Sequence, residues 1–296
     1  MIWIGAILIA STDFHGDVLG PHPFCTKLIE NLAGSGVTQL TPKHLTAVLP
    51  ELVRDDHKLV VGDPFRNHDF QIAELFEMWL RKESASKPEP WVKDKRQLKA
   101  LFNRFVKEQD KTFRKILPRL VDQLPELVRL RTKSILQSEF REIQGDRFEF
   151  LRLLEDRKAS RTHLARRGDE FVMVRQYLGD RDHFELQRKI AEFLSDQNVP
   201  MARPLGVDRD QQSLVLSFAE GFSIEDIQDL VDREVLPLEA LEAFGFQHAR
   251  FYNAEMSRLR VPYLSLFGPG PAAIDPNLSR VVFNPVKESW ILIDPN

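Results

Sequence analysis

The stretch Ala273–Asn296, AIDPNLSRVVFNPVKESWILIDPN, holds two short apolar runs, Val281-Val282-Phe283 and Trp290-Ile291-Leu292-Ile293, on either side of a polar turn from Asn284 to Ser289. Apolar, β-prone runs that bracket a cluster of turn formers predict a hairpin. Asp275 precedes the first strand and Asp294 follows the second. A hairpin returns the chain to the side it left, so both carboxylates are expected at one end of the sheet. Converging carboxylates can hold a divalent cation and steer a proton. The Asp-Pro-Asn tripeptides are also turn formers in their own right.

Upstream, short strands are predicted over Phe148–Leu154, Arg161–Ala165 and Glu170–Tyr177, with Arg166-Arg167-Gly168-Asp169 as the turn between the last two. Phe184, Gln187, Ile190, Ala191 and Leu194 recur at helical spacing within Arg181–Ser195. An extended passage, Val199–Val207, leads to a buried strand over Ser213–Phe218. Ser223 reads as the N-cap of an acidic helix with Glu225 and Asp226 in its first turn, which suits the helix dipole. A longer helix, Leu238–Met256, precedes the loop Gly268-Pro269-Gly270-Pro271.

The first half is different. A strand over Ile4–Ala10 and helices over Phe24–Leu32 and Pro42–Arg54 are expected, and His68 to Leu136 is helical almost throughout. Ser84–Pro90 breaks that run, and Pro118 and Pro125 punctuate its later part. Residues 81–133 carry sixteen basic against seven acidic side chains, a net of about +9. Such a face suits phosphate, nucleic acid, or a protein or other acidic partner, and is more often simply solvated.

Whole-chain numbers bound the function. Over 296 residues the net charge is −3, which argues against a protein dominated by nucleic-acid binding. The single cysteine, Cys25, excludes an internal disulfide and a Cys-rich zinc site. No apolar run is long enough to span a bilayer, and no Lys or Arg precedes the apolar opening, so a cytoplasmic protein without a membrane partner is expected.

The order strand–strand–strand–helix–strand–strand–helix–helix–hairpin over about residues 148–296 resembles the protein-kinase-like fold, in particular aminoglycoside phosphotransferases and related small-molecule kinases. The resemblance implies ATP and Mg²⁺ as cofactors. It makes Asp275 the catalytic base, Asp294 the metal ligand, and Asn277 a second metal ligand. It also implies that Arg175, where the family has lysine, contacts the nucleotide phosphates, oriented by Glu185, with Gln187 in nearly the same register. Main-chain groups of Ser217, Phe218 and Ala219 would meet the adenine edge. Three further positions depart from the family: Arg280 stands at its asparagine, Ala273-Ile274 replaces its histidine, and Asp156–Ser160 has no glycine.

Two other functions are compatible with the sequence. One keeps the kinase-like fold without catalysis, as a pseudokinase or an interaction protein that uses the basic helices of 81–133. The other rests on Asp13, His15, Asp63 and Asn67, whose local motifs resemble the metal ligands of calcineurin-like metallophosphoesterases, enzymes that activate water with paired cations. The expected fold class is α+β, with a mostly helical N-terminal region (1–145) followed by a kinase-like mixed region of sheet and helices (146–296).

Overall fold

A computed structural model describes residues 69–85, 92, 94–134, 139–156, 158–267 and 281–293. The segments expected over Ile4–Ala10, Phe24–Leu32, Pro42–Arg54 and Gly268–Pro271 lie outside the described residues. The fold is α+β. Helices α1 (Asp69–Ser84), α2 (Lys95–Thr132), α3 (Arg181–Asp196), α4 (Ile224–Asp232) and α5 (Glu239–Phe267) accompany eight described strands. The strands are β1 (Glu139–Ile143), β2 (Asp146–Asp156), β3 (Ser160–Arg167), β4 (Glu170–Tyr177), β5 (Pro204–Asp208), β6 (Ser213–Ser217), β7 (Val281–Asn284) and β8 (Ser289–Leu292). The chain divides into two compact units, Met1–Lys115 with Arg233–Pro276, and Ile116–Asp232 with Asn277–Asn296.

The first unit is built on aromatic packing. Ile72, Phe76, Trp79 and Leu80 of α1 recur at helical spacing and meet Leu98, Phe102 and Phe105 of α2 and Phe246 and Ala249 of α5. Phe76 packs edge-on against Phe102 with centroids 5.2 Å apart, and Phe105 against Phe246 at 5.1 Å, geometries favoured by the ring quadrupole. Polar contacts rim this cluster. Trp79 Nε1 donates to Glu108 at 2.8 Å, Gln247 donates to Asp110 at 2.6 Å, and Lys82 pairs with Glu242 at 2.5 Å.

Helix α2 runs for 38 residues and continues through both Pro118 and Pro125. The sequence marked these prolines as punctuating a largely helical stretch. Proline lacks an N–H, so the carbonyls four residues earlier, those of Arg114 and Val121, lose their helical partners. Pro118, Pro125, Arg114 and Val121 are all exposed, so water can replace the missing donors. Ile116, Leu120 and Leu124 meanwhile keep the opposite side buried.

The second unit is organised on a six-stranded antiparallel sheet in the order β1-β2-β3-β4-β6-β5. The β1–β2 hairpin turns through Gln144 and Gly145, both at positive φ (52° and 85°), a two-residue turn that matches the twist of the strands. At the β3–β4 hairpin Gly168 takes φ 59°. Strand β1 was not expected. Its sequence, Glu-Phe-Arg-Glu-Ile, is mostly charged, and it forms the edge of the sheet, where charge blunts further pairing. One face of the sheet buries Phe148, Phe150, Ala165, Val172, Val174 and Val215. The predicted hairpin forms with Val281 opposite Leu292 and Asn284 opposite Ser289.

His248 of α5 is wholly buried, and burial lowers its pKa from 6.5 to about 4. A folded-state pKa below the unfolded value means that the neutral imidazole is favoured in the fold. This contribution is complete above pH 6.5 and is lost as pH falls from 6.5 towards 4, about 3 kcal/mol in all. Denaturant melts at pH 7 and pH 4 should show that loss, and His248→Leu should remove this part of the acid sensitivity.

Candidate functional site

The site candidates that fall on described residues cluster on the second unit, where three features converge: the central strand β4, helix α3, and the segment that leaves β6. Strand β4 sits between β3 and β6, so Arg175 is opposite Thr162 on one side and Leu214 on the other. Directly opposed residues share a face. Leu164, Met173 and Leu216 form the adjacent apolar row on the same face.

Arg175 is only 4% exposed. A buried guanidinium is costly unless it is paired and hydrogen-bonded. Here Nε donates to Thr162 Oγ1 at 3.0 Å, and a terminal nitrogen donates to Glu155 Oε2 at 3.2 Å. Glu155 opposes Thr162 across a β-bulge, so the triad Glu155–Thr162–Arg175 crosses three neighbouring strands. The bulge lies between Leu153 and Glu155 and shifts the register there.

Helix α3 starts at Asp180, whose carboxylate accepts from the backbone N–H of His183 at 2.7 Å. Phe184 then packs on Tyr177 of β4, with ring centroids 5.6 Å apart. Counting on from Phe184 at helical spacing, the buried stripe continues through Gln187, Ile190, Ala191 and Leu194. Glu185 is off that stripe. It accepts from Arg188 at 2.8 Å and faces Arg209 at 3.5 Å. The Arg188 hydrogen bond holds its carboxylate below the usual range. Arg175 and Glu185, expected to orient one another, are each engaged elsewhere. The α3 side chain directed to the interior is Gln187, 4% exposed, and its Oε1 has no hydrogen-bond partner among the described residues. The spacing that marked Gln187 as part of the apolar stripe was already visible in the sequence.

Near this ion-pair cluster an open cleft of about 730 Å³ is lined by Glu142, Gln144, Arg188, Glu192, Asp208 and Arg209, among others. Arg188 is held by Glu185 and Glu192 on its own helix. Asp208 spends its carboxylate on the β5–β6 turn, accepting from the N–H groups of Asp210 and Gln211 at 3.0 and 2.9 Å. These side chains are committed to the fold.

The exit from β6 carries the remaining candidates. The Ser217 N–H donates to the Arg203 carbonyl at 2.9 Å, and Ser217 Oγ accepts from the Arg203 N–H at 2.9 Å. Phe218 packs on Phe171 at 6.2 Å, and Ala219 is buried. Phe218 and Ala219 leave the sheet without a main-chain hydrogen bond among the described residues.

Just beyond, the chain is gripped by the hairpin. Phe222 and Phe283 exchange both main-chain hydrogen bonds, at 2.9 and 2.8 Å. Leu292 does the same with the Pro200–Ala202 segment, accepting from Ala202 N–H and donating to the Pro200 carbonyl, both at 2.8 Å. The Asn284 side chain donates to the Glu220 carbonyl at 3.1 Å and accepts from the N–H groups of Val286 and Lys287 at 3.0 and 2.9 Å. Gly221 allows this approach, since a Cβ there would lie 2.7 Å from the Phe283 carbonyl oxygen. From the other side, Arg131 at the end of α2 donates to the Gly221 carbonyl at 2.8 Å and pairs with Asp226. Asp226 in turn accepts from the N–H of Ser223 at 2.6 Å and from its hydroxyl at 2.7 Å, closing the cap of α4.

Asp275, Asn277 and Asp294 lie outside the described residues, as do Asp13, His15, Asp63 and Asn67 of the metallophosphoesterase-like pattern. Among the described residues no group of three or more His, Cys, Asp or Glu side chains is arranged to hold a metal ion, and no helix is long and apolar enough to cross a membrane. No protein-family model matches the chain, and a search of curated proteins finds no matching relative.

Two substitutions test this geometry. Gly221→Ala drives a methyl group into the Phe283 main chain and should cost about 1–3 kcal/mol in urea melts, through loss of the hairpin contact. Glu155→Gln leaves buried Arg175 without its carboxylate. Because Glu155 is 30% exposed, the loss should be limited to about 1–2 kcal/mol by the same measurement.

Proposed function

We propose that the second unit is a degenerate kinase-like module that binds a nucleotide. The observation that carries this reading is the exit of β6. A main-chain stretch, Phe218–Ala219, that makes no main-chain hydrogen bond among the described residues is followed, after Glu220, by Gly221–Phe222 locked to the hairpin. A free peptide edge of this kind is what an adenine ring needs for hydrogen bonding, and the lock gives it a fixed position.

The sheet supports the same reading. Four consecutive strands, β1 to β4, form a meander, a helix follows, and the next two strands add in reversed order, β4-β6-β5, so that the helix crossover and the β6 exit flank the central strand. Antiparallel pairing places Val281 opposite Leu292, so the chain enters and leaves the hairpin at one end. That is the arrangement on which the expected roles of Asp275, Asn277 and Asp294 depend.

The module is degenerate because of Arg175. In a working phosphotransferase the cation on this strand is available to the phosphates. Here it is buried against Glu155 and Thr162, so incoming phosphates meet a neutralised pair. Gln187, an amide, holds the buried position of α3 where a carboxylate would orient the cation. Nucleotide binding through the β6 exit, with little or no phosphoryl transfer, follows from that substitution of partners. Mg²⁺, if used, would be held by Asp294 and Asn277 and would screen the phosphates.

A thermal-shift titration with ATP, with and without Mg²⁺, tests the proposal on the full chain. At a hundred times its dissociation constant, ATP should stabilise the protein by about 2.7 kcal/mol, read as a rise in melting temperature. Gly221→Ala should abolish the rise. No shift under either condition would remove the nucleotide site. Rapid ATP turnover would overturn the degenerate assignment.

A further inference from the structure

The long helix α2 has two unlike sides within the first unit. Leu98, Phe102 and Phe105 are buried at helical spacing. Arg96, Lys99, Lys107, Lys111, Arg114 and Lys115 are all exposed, and the positions of Arg96, Lys107, Lys111 and Arg114 place them opposite the buried stripe. Between Arg96 and Lys115 the helix rises about 28 Å. The sequence of 81–133 carries its excess of about +9 within a chain whose net charge is −3.

Pairing separates these six cations from their neighbours. Arg104 is tied to Glu83 at 3.0 Å and Glu108 at 2.7 Å and lies over the Trp79 ring. Arg250 takes Asp110 at 3.1 Å. The carboxylates nearest the stripe are thus consumed by other partners. Arg96, Lys99, Lys107, Lys111, Arg114 and Lys115 make no ion pair among the described residues. A row of like charges on one helix repels itself, and an external anion relieves that repulsion.

We propose that this face of α2 is a docking surface for an acidic segment of a partner protein. Its chemistry selects that occupant over other polyanions. No large apolar side chain is exposed between Lys95 and Lys115 among the described residues, so the face has nothing to insert into a bilayer. It also exposes no aromatic ring on which a base could stack, and the row is one helix wide. Lys107, Lys111 and Arg114 recur at one-turn intervals, a ladder of point charges that carboxylates on successive turns of an acidic helix can meet one for one. Complementarity of this kind speeds encounter and weakens with salt.

The test uses the full chain and a fluorescently labelled poly-glutamate peptide, followed by anisotropy across a salt series. Binding should weaken steadily with salt, and the triple reversal Lys107→Glu, Lys111→Glu, Arg114→Glu should weaken it at least about tenfold. The melting temperature of that variant should stay at the wild-type value, since none of the three side chains supports the fold. Equal binding by the variant, or no binding by the wild type, overturns the proposal. A duplex DNA or a phosphatidylserine vesicle that binds more tightly than poly-glutamate at the same salt overturns the assigned occupant. Gly221→Ala, which disrupts the nucleotide-site reading, should leave poly-glutamate binding unchanged.

Discussion

The close approach of Gly221 to the Phe283 carbonyl is the constraint on which the second unit depends. Any side chain at this position would hold the two main chains apart, and the paired hydrogen bonds of Phe222 and Phe283 could not form. The same few residues also receive Arg131 from α2, the Asn284 amide, and the start of α4. Each link is modest in water, since a hydrogen bond contributes only about 1 kcal/mol net. Together they fix a piece of chain that would otherwise be a loop between a strand and a helix.

Arg175 shows how a central strand position can change its role without changing its charge. The sheet supplies Thr162 from the neighbouring strand and Glu155 from the strand beyond it, and the two satisfy the guanidinium inside the protein. Breaking a buried pair of this kind is costly, whereas the intact pair adds little to stability. Its consequence is therefore specificity of geometry: the cation cannot swing towards solvent without abandoning a carboxylate.

Much of this was legible in the sequence. The strands β2, β3, β4 and β6, the cap at Ser223 and the terminal hairpin follow from alternation, turn residues and apolar runs. Strand β1 escaped because Glu139, Arg141 and Glu142 give an edge strand no apolar alternation, leaving only Phe140 and Ile143. The continuity of α2 escaped because local propensity counts a proline as a break, whereas burial of Ile116, Leu120 and Leu124 carries the helix through. In α3 the phase of the stripe already selected Gln187 over Glu185, but the charge of Glu185 drew the functional assignment to it. The Glu155–Arg175 pair was not legible at all, because a bulge in β2 sets which residues face each other and bulges leave little trace in sequence.

The placement of the hairpin also orders the events of synthesis. The meander β1–β4 joins strands that are adjacent in the chain, so it can form as soon as residues up to Tyr177 are available. Strands β7 and β8 close onto Pro200–Ala202 and Gly221–Phe222, some sixty to ninety residues earlier, and must wait for everything between to be made. Until then the main-chain groups of Phe222 and Ala202 have no partner, and the sheet stands without its clamp. A nascent chain paused before Val281 therefore leaves those main-chain groups without the hairpin, and the unit closes only once β7 and β8 have been made.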